Sequence, residues 1–133
     1  MKLLVTGGLG FIGSNFILKL LTESSNYEII NVDAELFGAD HKNLSEIKNS
    51  KKYHFEKGNI TNKKFMEEQI ANCDAVINFA AETFVDRSIN DANPFLVSNI
   101  RGAYTILDII TKQKKRMVQI STDEVFGSLI DGT

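Results

Sequence analysis

Short apolar runs alternate along the chain with stretches whose apolar positions recur at helical spacing. Leu3-Leu4-Val5 is an apolar run broken at once by Thr6-Gly7-Gly8, which predicts a strand and not a signal peptide. From Phe11 to Leu21, the residues Ile12, Phe16, Leu20 and Leu21 share one helical face, which predicts a helix. Glu28 to Val32 predicts the second strand. The stretch from Ala34 to Ser50 reads as a loop with a short helix near Asn43 to Lys48. Tyr53 to Glu56 predicts the third strand, and Asn62 to Ile70 a helix with Thr61 as its N-cap. Ala75 to Phe79 predicts the fourth strand. Asn93 and Pro94 suit the N-cap and first position of a long helix reaching Lys112. Met117 to Ser121 predicts the fifth strand.

Five strands separated by helices predict an α/β domain over residues 1–133, with a doubly wound parallel sheet covered on both faces. Right-handed crossovers then give the strand order 3-2-1-4-5. In such a sheet the ligand crevice opens at the carboxyl ends of strands 1 and 4, where the order reverses.

The turn leaving the first strand carries the first chemistry. Gly7, Gly10 and Gly13 are spaced by three and three, between a strand and a helix. That is the Rossmann-type dinucleotide pattern. Gly7 permits the tight turn, Gly10 lets a pyrophosphate approach the backbone, and Gly13 lets the helix pack on the sheet. N–H groups at the helix start then face the phosphates. Asp33 closes the second strand about 20 residues beyond the last glycine, where a carboxylate accepts the ribose hydroxyls. A carboxylate there repels a 2′-phosphate, and Ala34 and Glu35 supply no cation. The expected cofactor is therefore NAD and not NADP.

Composition narrows the remaining classes. Hydrophobic residues are 43% and charged residues 24%, as in soluble globular domains. A net charge of -2 gives no bulk attraction to nucleic acid or an anionic membrane. The cluster Lys112, Lys114, Lys115 and Arg116 reads as the solvated end of a helix. Cys73 is the sole cysteine, so no disulfide forms within the chain, and with His41 and His54 it falls short of a metal site. No apolar run approaches the roughly 20 residues of a membrane helix. These features lead us to expect a cytoplasmic protein without nucleic-acid, membrane or metal partners.

Two further motifs sit at strand ends. Asn78-Phe79-Ala80-Ala81-Glu82-Thr83-Phe84-Val85-Asp86-Arg87-Ser88-Ile89 follows strand 4, and Ile120-Ser121-Thr122-Asp123-Glu124-Val125-Phe126-Gly127 follows strand 5. Adjacent carboxyls in different environments can divide acid and base roles. Neighbours on a strand point to opposite faces, so Asp123 and Glu124 can cooperate only if the strand has already ended.

Together these motifs resemble the dTDP-glucose 4,6-dehydratase family of the extended short-chain dehydrogenase/reductases. The resemblance implies oxidation of a nucleotide sugar at C4, loss of water across C5 and C6, and return of the hydride to C6. It implies Asp123 as the acid at the C6 hydroxyl, Glu124 as the base at C5, and Thr122 as a hydrogen-bond partner of the C4 oxygen. It implies cofactor contacts at Gly7, Gly10, Phe11, Ile12, Gly13, Asp33, Asn59, Ile60, Phe79, Ala80, Ala81 and Ser98, with Thr83 facing the substrate. Asn59 stands where the family usually has Asp, Phe84 replaces a usual His, and Phe126 replaces a usual Tyr. The segment Asp33-Ala34-Glu35-Leu36 lacks a lysine common after that aspartate. Other nucleotide-sugar dehydratases and epimerases differ at one or both acidic positions. They remain the alternative, beside a non-catalytic NAD-sensing domain.

The superfamily's chemistry uses Tyr-x-x-x-Lys on a helix after strand 5, where one helical turn brings both side chains to one face. The one formal match, Tyr53 to Lys57, lies in the third predicted strand, where residues four apart are about 13 Å apart. It reads as coincidence. The expectation is an N-terminal portion of a longer homodimeric enzyme that binds NAD, does not turn over dTDP-glucose by itself, and is prone to self-association.

Overall fold

The computed structural model describes residues 1–127, apart from the side chain of Glu124. The strands are β1 (Lys2–Thr6), β2 (Glu28–Asp33), β3 (Tyr53–Lys57), β4 (Ala75–Asn78) and β5 (Arg116–Gln119). All pair in parallel, in the order β3-β2-β1-β4-β5 expected from the sequence. The helices are α1 (Phe11–Glu23), α2 (Lys63–Ala71), α3 (Val85–Asn90), α4 (Asn93–Phe95) and α5 (Ala103–Gln113), with 3-10 turns at His41–Leu44 and Asp123–Phe126.

Strand residues alternate between two buried cores, as a parallel sheet covered on both faces requires. Leu4, Ile30, Val32 and Val76 pack with Met66 and Ile70 of α2 and Ile106, Ile109 and Ile110 of α5. Leu3, Val5, Ile29 and Ala75 pack with Leu9, Ile17, Leu44 and Ile47 on the opposite face. Each fully buried aliphatic side chain contributes about 1.5–3 kcal/mol.

Several boundaries differ from the sequence reading. The α2 cap is Asn62, whose side chain accepts from Phe65 N–H, and not Thr61. Thr61 instead bonds Asn59, so the neighbouring polar residue takes the cap. Asn93 and Pro94 both lie within α4, and Ala92 is its N-cap. The long helix is not uniform: Leu96–Gly102 is π-helical between α4 and α5. A Cβ on Gly102 would lie 2.3 Å from Ile60 Cδ1, so this segment presses onto the loop after β3. The short helix after β2 is the 3-10 turn at His41–Leu44, and α3 has no counterpart in the sequence reading. β5 starts one residue earlier than expected and ends two residues earlier. Of the basic cluster, Lys112 and Lys114 do end a helix, whereas Lys115 Nζ donates to Cys73 O at 2.6 Å and Arg116 opens β5.

Candidate functional site

The glycine turn is dictated by close approach of backbone to backbone. Gly7 has a φ of +71°, and a Cβ there would lie 2.6 Å from Ala80 N. The chain leaving β4 therefore runs directly against the turn. A Cβ on Gly13 would lie 2.5 Å from Gly7 O, so α1 starts in contact with the turn itself. A Cβ on Gly10 would meet only Gly7 O, at 3.4 Å, which leaves room on its outer side. Gly10 is the N-cap of α1, with no side-chain cap and no acidic residue in the first turn. The first turn of this 13-residue helix thus supplies no counter-charge of its own to the positive end. Phe11 and Ile12 are exposed beside it.

Asp33 sits beside this turn with only 8% of its surface exposed. One carboxylate oxygen accepts from Leu9 N–H at 3.0 Å and the other from Glu35 N–H at 2.9 Å. The residue therefore braces the glycine turn. The next residues form a charged cluster, in which Glu35 meets both Lys57 and His41. Those two bonds, Lys57 first, hold the Glu35 carboxyl below its usual range.

The other expected contacts gather at the same end of the sheet. Phe79 packs on Phe16 of α1, with ring centroids 5.3 Å apart. Ala80 adjoins Gly7, and Ala81 and Thr83 are exposed just beyond. Ser98 lies in the π-helical segment. Asn59 uses its side-chain oxygen on Thr61, 2.9 Å from N–H and 2.8 Å from the hydroxyl. The Ile60 side chain is core, so only its backbone can border a cofactor.

Residues 82–99 show pairings that the sequence reading missed. Asn99 bridges the backbone of Glu82, accepting from its N–H at 2.8 Å and donating to its carbonyl at 2.9 Å. Buried Glu82 accepts from Arg87 at 3.1 Å. Arg87 also lies over the ring of Phe37, 4.4 Å from its centroid. Phe84 meets Phe37 edge-on at 4.8 Å, so the residue that departs from the family pattern has its own aromatic partner.

The acidic motif follows β5 as its geometry requires. Asn78 receives the Thr6 hydroxyl and donates to Gln119 at 2.8 Å, linking β1, β4 and β5. The strand has ended when Asp123–Phe126 enters its 3-10 turn. At about 120° per residue, such a turn does not throw neighbours to opposite faces. The Thr122 hydroxyl donates to the Asp123 carboxylate at 3.3 Å. The side chain of Glu124 lies outside the described residues.

Tyr53 and Lys57 do not form an acid–base pair. The Tyr53 hydroxyl accepts from Asn31 Nδ2 at 2.9 Å, and burial pushes its pKa up. Lys57 is engaged with Glu35.

Comparisons with known proteins agree with this architecture. A family model described as GDP-mannose 4,6 dehydratase matches residues 4–132. The Low-salt glycan biosynthesis protein Agl12 of Haloferax volcanii is 41% identical over 99% of the chain and 43% of its own length. A dTDP-glucose 4,6-dehydratase of Mycolicibacterium smegmatis is 40% identical over 97% of the chain and 38% of its own length. The solved structure of DesIV, a dTDP-glucose 4,6-dehydratase from Streptomyces venezuelae with NAD and TYD bound, superposes with a TM-score of 0.93. It is 36% identical and covers all of this chain, which spans 43% of DesIV. The chain thus spans about two-fifths of the length of these relatives. By its motifs, its sheet order and the match over residues 4–132, it belongs to the GDP-mannose 4,6 dehydratase family.

Proposed function

We propose that this chain is the NAD-holding portion of a dTDP-glucose 4,6-dehydratase. The observation that carries the reading is the Thr122-Asp123-Glu124 run after β5, whose acidic pair opens a 3-10 turn at the end of the sheet that also holds the glycine turn. The cleft residues fit the cofactor: an uncapped helix start for the pyrophosphate, a Cβ-free approach at Gly10, and Asp33 for the ribose.

Bound NAD would supply the hydride acceptor for C4 and the hydride source for C6. The protein's own groups handle the protons. Asp123 donates to the C6 hydroxyl, which leaves as water. Glu124 takes the C5 proton as the C5–C6 double bond forms. Thr122 donates a hydrogen bond to the C4 oxygen, where negative charge gathers during proton loss from C5. Removal of the C4 hydroxyl proton needs a base near neutral pH, and Tyr53 is buried in β3.

A second copy of the chain is the proposed partner. Leu96, Ile100, Tyr104 and Leu107 are 50% or more exposed and fall at spacings of four, four and three, on one helical face. An apolar stripe of that kind marks an association surface. No helix among the described residues is long and apolar enough to cross a membrane. A nucleotide-sugar substrate and one buried cysteine suit a cytoplasmic setting.

The test uses dTDP-glucose deuterated at C4 with the full gene product and NAD. Formation of a 4-keto-6-deoxy product with deuterium at C6 is expected. Epimerisation at C4 with no loss of water would place the protein with the epimerases instead.

A further inference from the structure

The rim of the cleft beside Asp33 carries two basic side chains. β2 and β3 pair in parallel with Asp33 opposite Lys57. Residues paired across neighbouring strands present their side chains on one face, about 5 Å apart. Asp33 turns its carboxylate to Leu9 N–H, so Lys57 emerges on that side of the sheet. His41 reaches the same face. Its ring meets Phe55, two residues before Lys57 in β3, edge-on at 4.8 Å. Lys57 Nζ and His41 Nε2 converge on the two carboxylate oxygens of Glu35. Glu35 is itself fixed by its N–H bond to Asp33 and by a φ of +55°, uncommon for a residue other than glycine. One residue therefore ties the ribose-facing carboxylate to both basic groups.

We infer that Glu35 is a specificity-determining residue for the dinucleotide, holding Lys57 and His41 in pairs that would otherwise receive the 2′-phosphate of NADP. This rests on the reading of the cleft as an NAD site. A 2′-phosphate carries up to two negative charges and is drawn to lysine as a point charge. Asp33 repels it with one charge. Glu35 adds a second and engages the Lys57 ammonium and the His41 ring, so discrimination is shared by two carboxylates.

Calorimetric titration of the purified chain with NAD and with NADP, at low salt, tests this. The unsubstituted chain binds NAD more tightly than NADP. Glu35→Gln raises NADP affinity about tenfold and leaves NAD affinity within about twofold. Glu35→Asn is the parallel variant, because asparagine tolerates positive φ, and thermal unfolding shows that both are folded. Adding Lys57→Met to Glu35→Gln abolishes the gain, and so does about 0.5 M salt. Unchanged NADP affinity in folded Glu35 variants that still bind NAD overturns this inference alone. An unsubstituted chain that binds neither dinucleotide overturns the NAD reading and this inference with it.

Discussion

The carboxyl ends of β1 and β2 and those of β4 and β5 lie at the same end of one parallel sheet but are built differently. At the first, Gly7 N–H bonds Val32 O at 2.9 Å, Leu9 N–H bonds Asp33 at 3.0 Å, and Leu9 and Val32 are fully buried. At the second, Gln119, Ser121, Thr122 and Asp123 are exposed, and Val118 on the edge strand is 53% exposed. The acidic segment is tied back by Ile120 N–H to Asn78 O at 3.1 Å and by the Asn78–Gln119 bond. The glycine turn and Asp33 are therefore tied into the packing of the sheet, whereas the segment that carries Thr122 and Asp123 is exposed. Substitutions at the first end should alter stability and binding together. Substitutions at the second should alter chemistry alone.

The sharpest separation is expected at Glu124. Glu124→Gln in the full gene product should lower the dehydration rate by roughly a thousandfold, within the range of a lost general base. Its melting temperature and NAD affinity should stay unchanged. A matching fall in stability would show that the segment is structural and would break the contrast.

Gly7→Ala comes next, and it should act the opposite way. The new Cβ meets Ala80 N at 2.6 Å in a backbone of φ +71°. Loss of about 3 kcal/mol is expected from the clash and the strained conformation, together with loss of NAD binding. Urea denaturation and titration should register both. A folded Gly7→Ala protein that keeps its stability but not its NAD would place the turn's role in ligand contact only.

Asp33→Asn should be milder and mixed. The amide can still accept one of the two backbone bonds at 3.0 and 2.9 Å. A stability loss of about 1 kcal/mol and roughly tenfold weaker NAD binding are expected. If binding falls without any change in the urea midpoint, the bracing role is wrong.

The same contrast explains what could be read from the chain alone. The strand order and the glycine turn follow from local signals: apolar runs, breaker residues and fixed spacings. Asn99 did not stand out, because its partner Glu82 is 17 residues away and neither residue type demands the other. Phe84 reads as a lost polar group until Phe37 is seen packed against it. The choice of Asn62 over Thr61 as cap turns on which side chain reaches Phe65 N–H, a matter of backbone angle. The π-helical turn at Leu96–Gly102 accompanies the pressing of Gly102 onto Ile60, a contact between segments that no periodicity reports.

The smallest expected effect is a pH dependence of two charged clusters, one around Glu35 and one between α2 and α5. Lys57, then His41, hold the Glu35 carboxyl below its ordinary 4.5. Lys112, then Lys63, hold that of Asp108 below its ordinary 3.8, where it joins α2 to α5. A carboxyl whose folded pKa is depressed stabilises the fold above its unfolded pKa. That contribution fades as pH falls through the folded value. Both groups are solvent-screened, so each contribution is small. Melting temperatures taken from about pH 6 down to pH 3 should therefore fall most steeply below about 4.5, and Glu35→Gln should flatten part of that fall. Asp108→Asn should flatten another part. Because Asp108 lies away from the cleft, only the Glu35 variant should also change NADP affinity. A loss of stability with the same pH profile in both variants would mean that the cleft cluster is merely another surface ion pair.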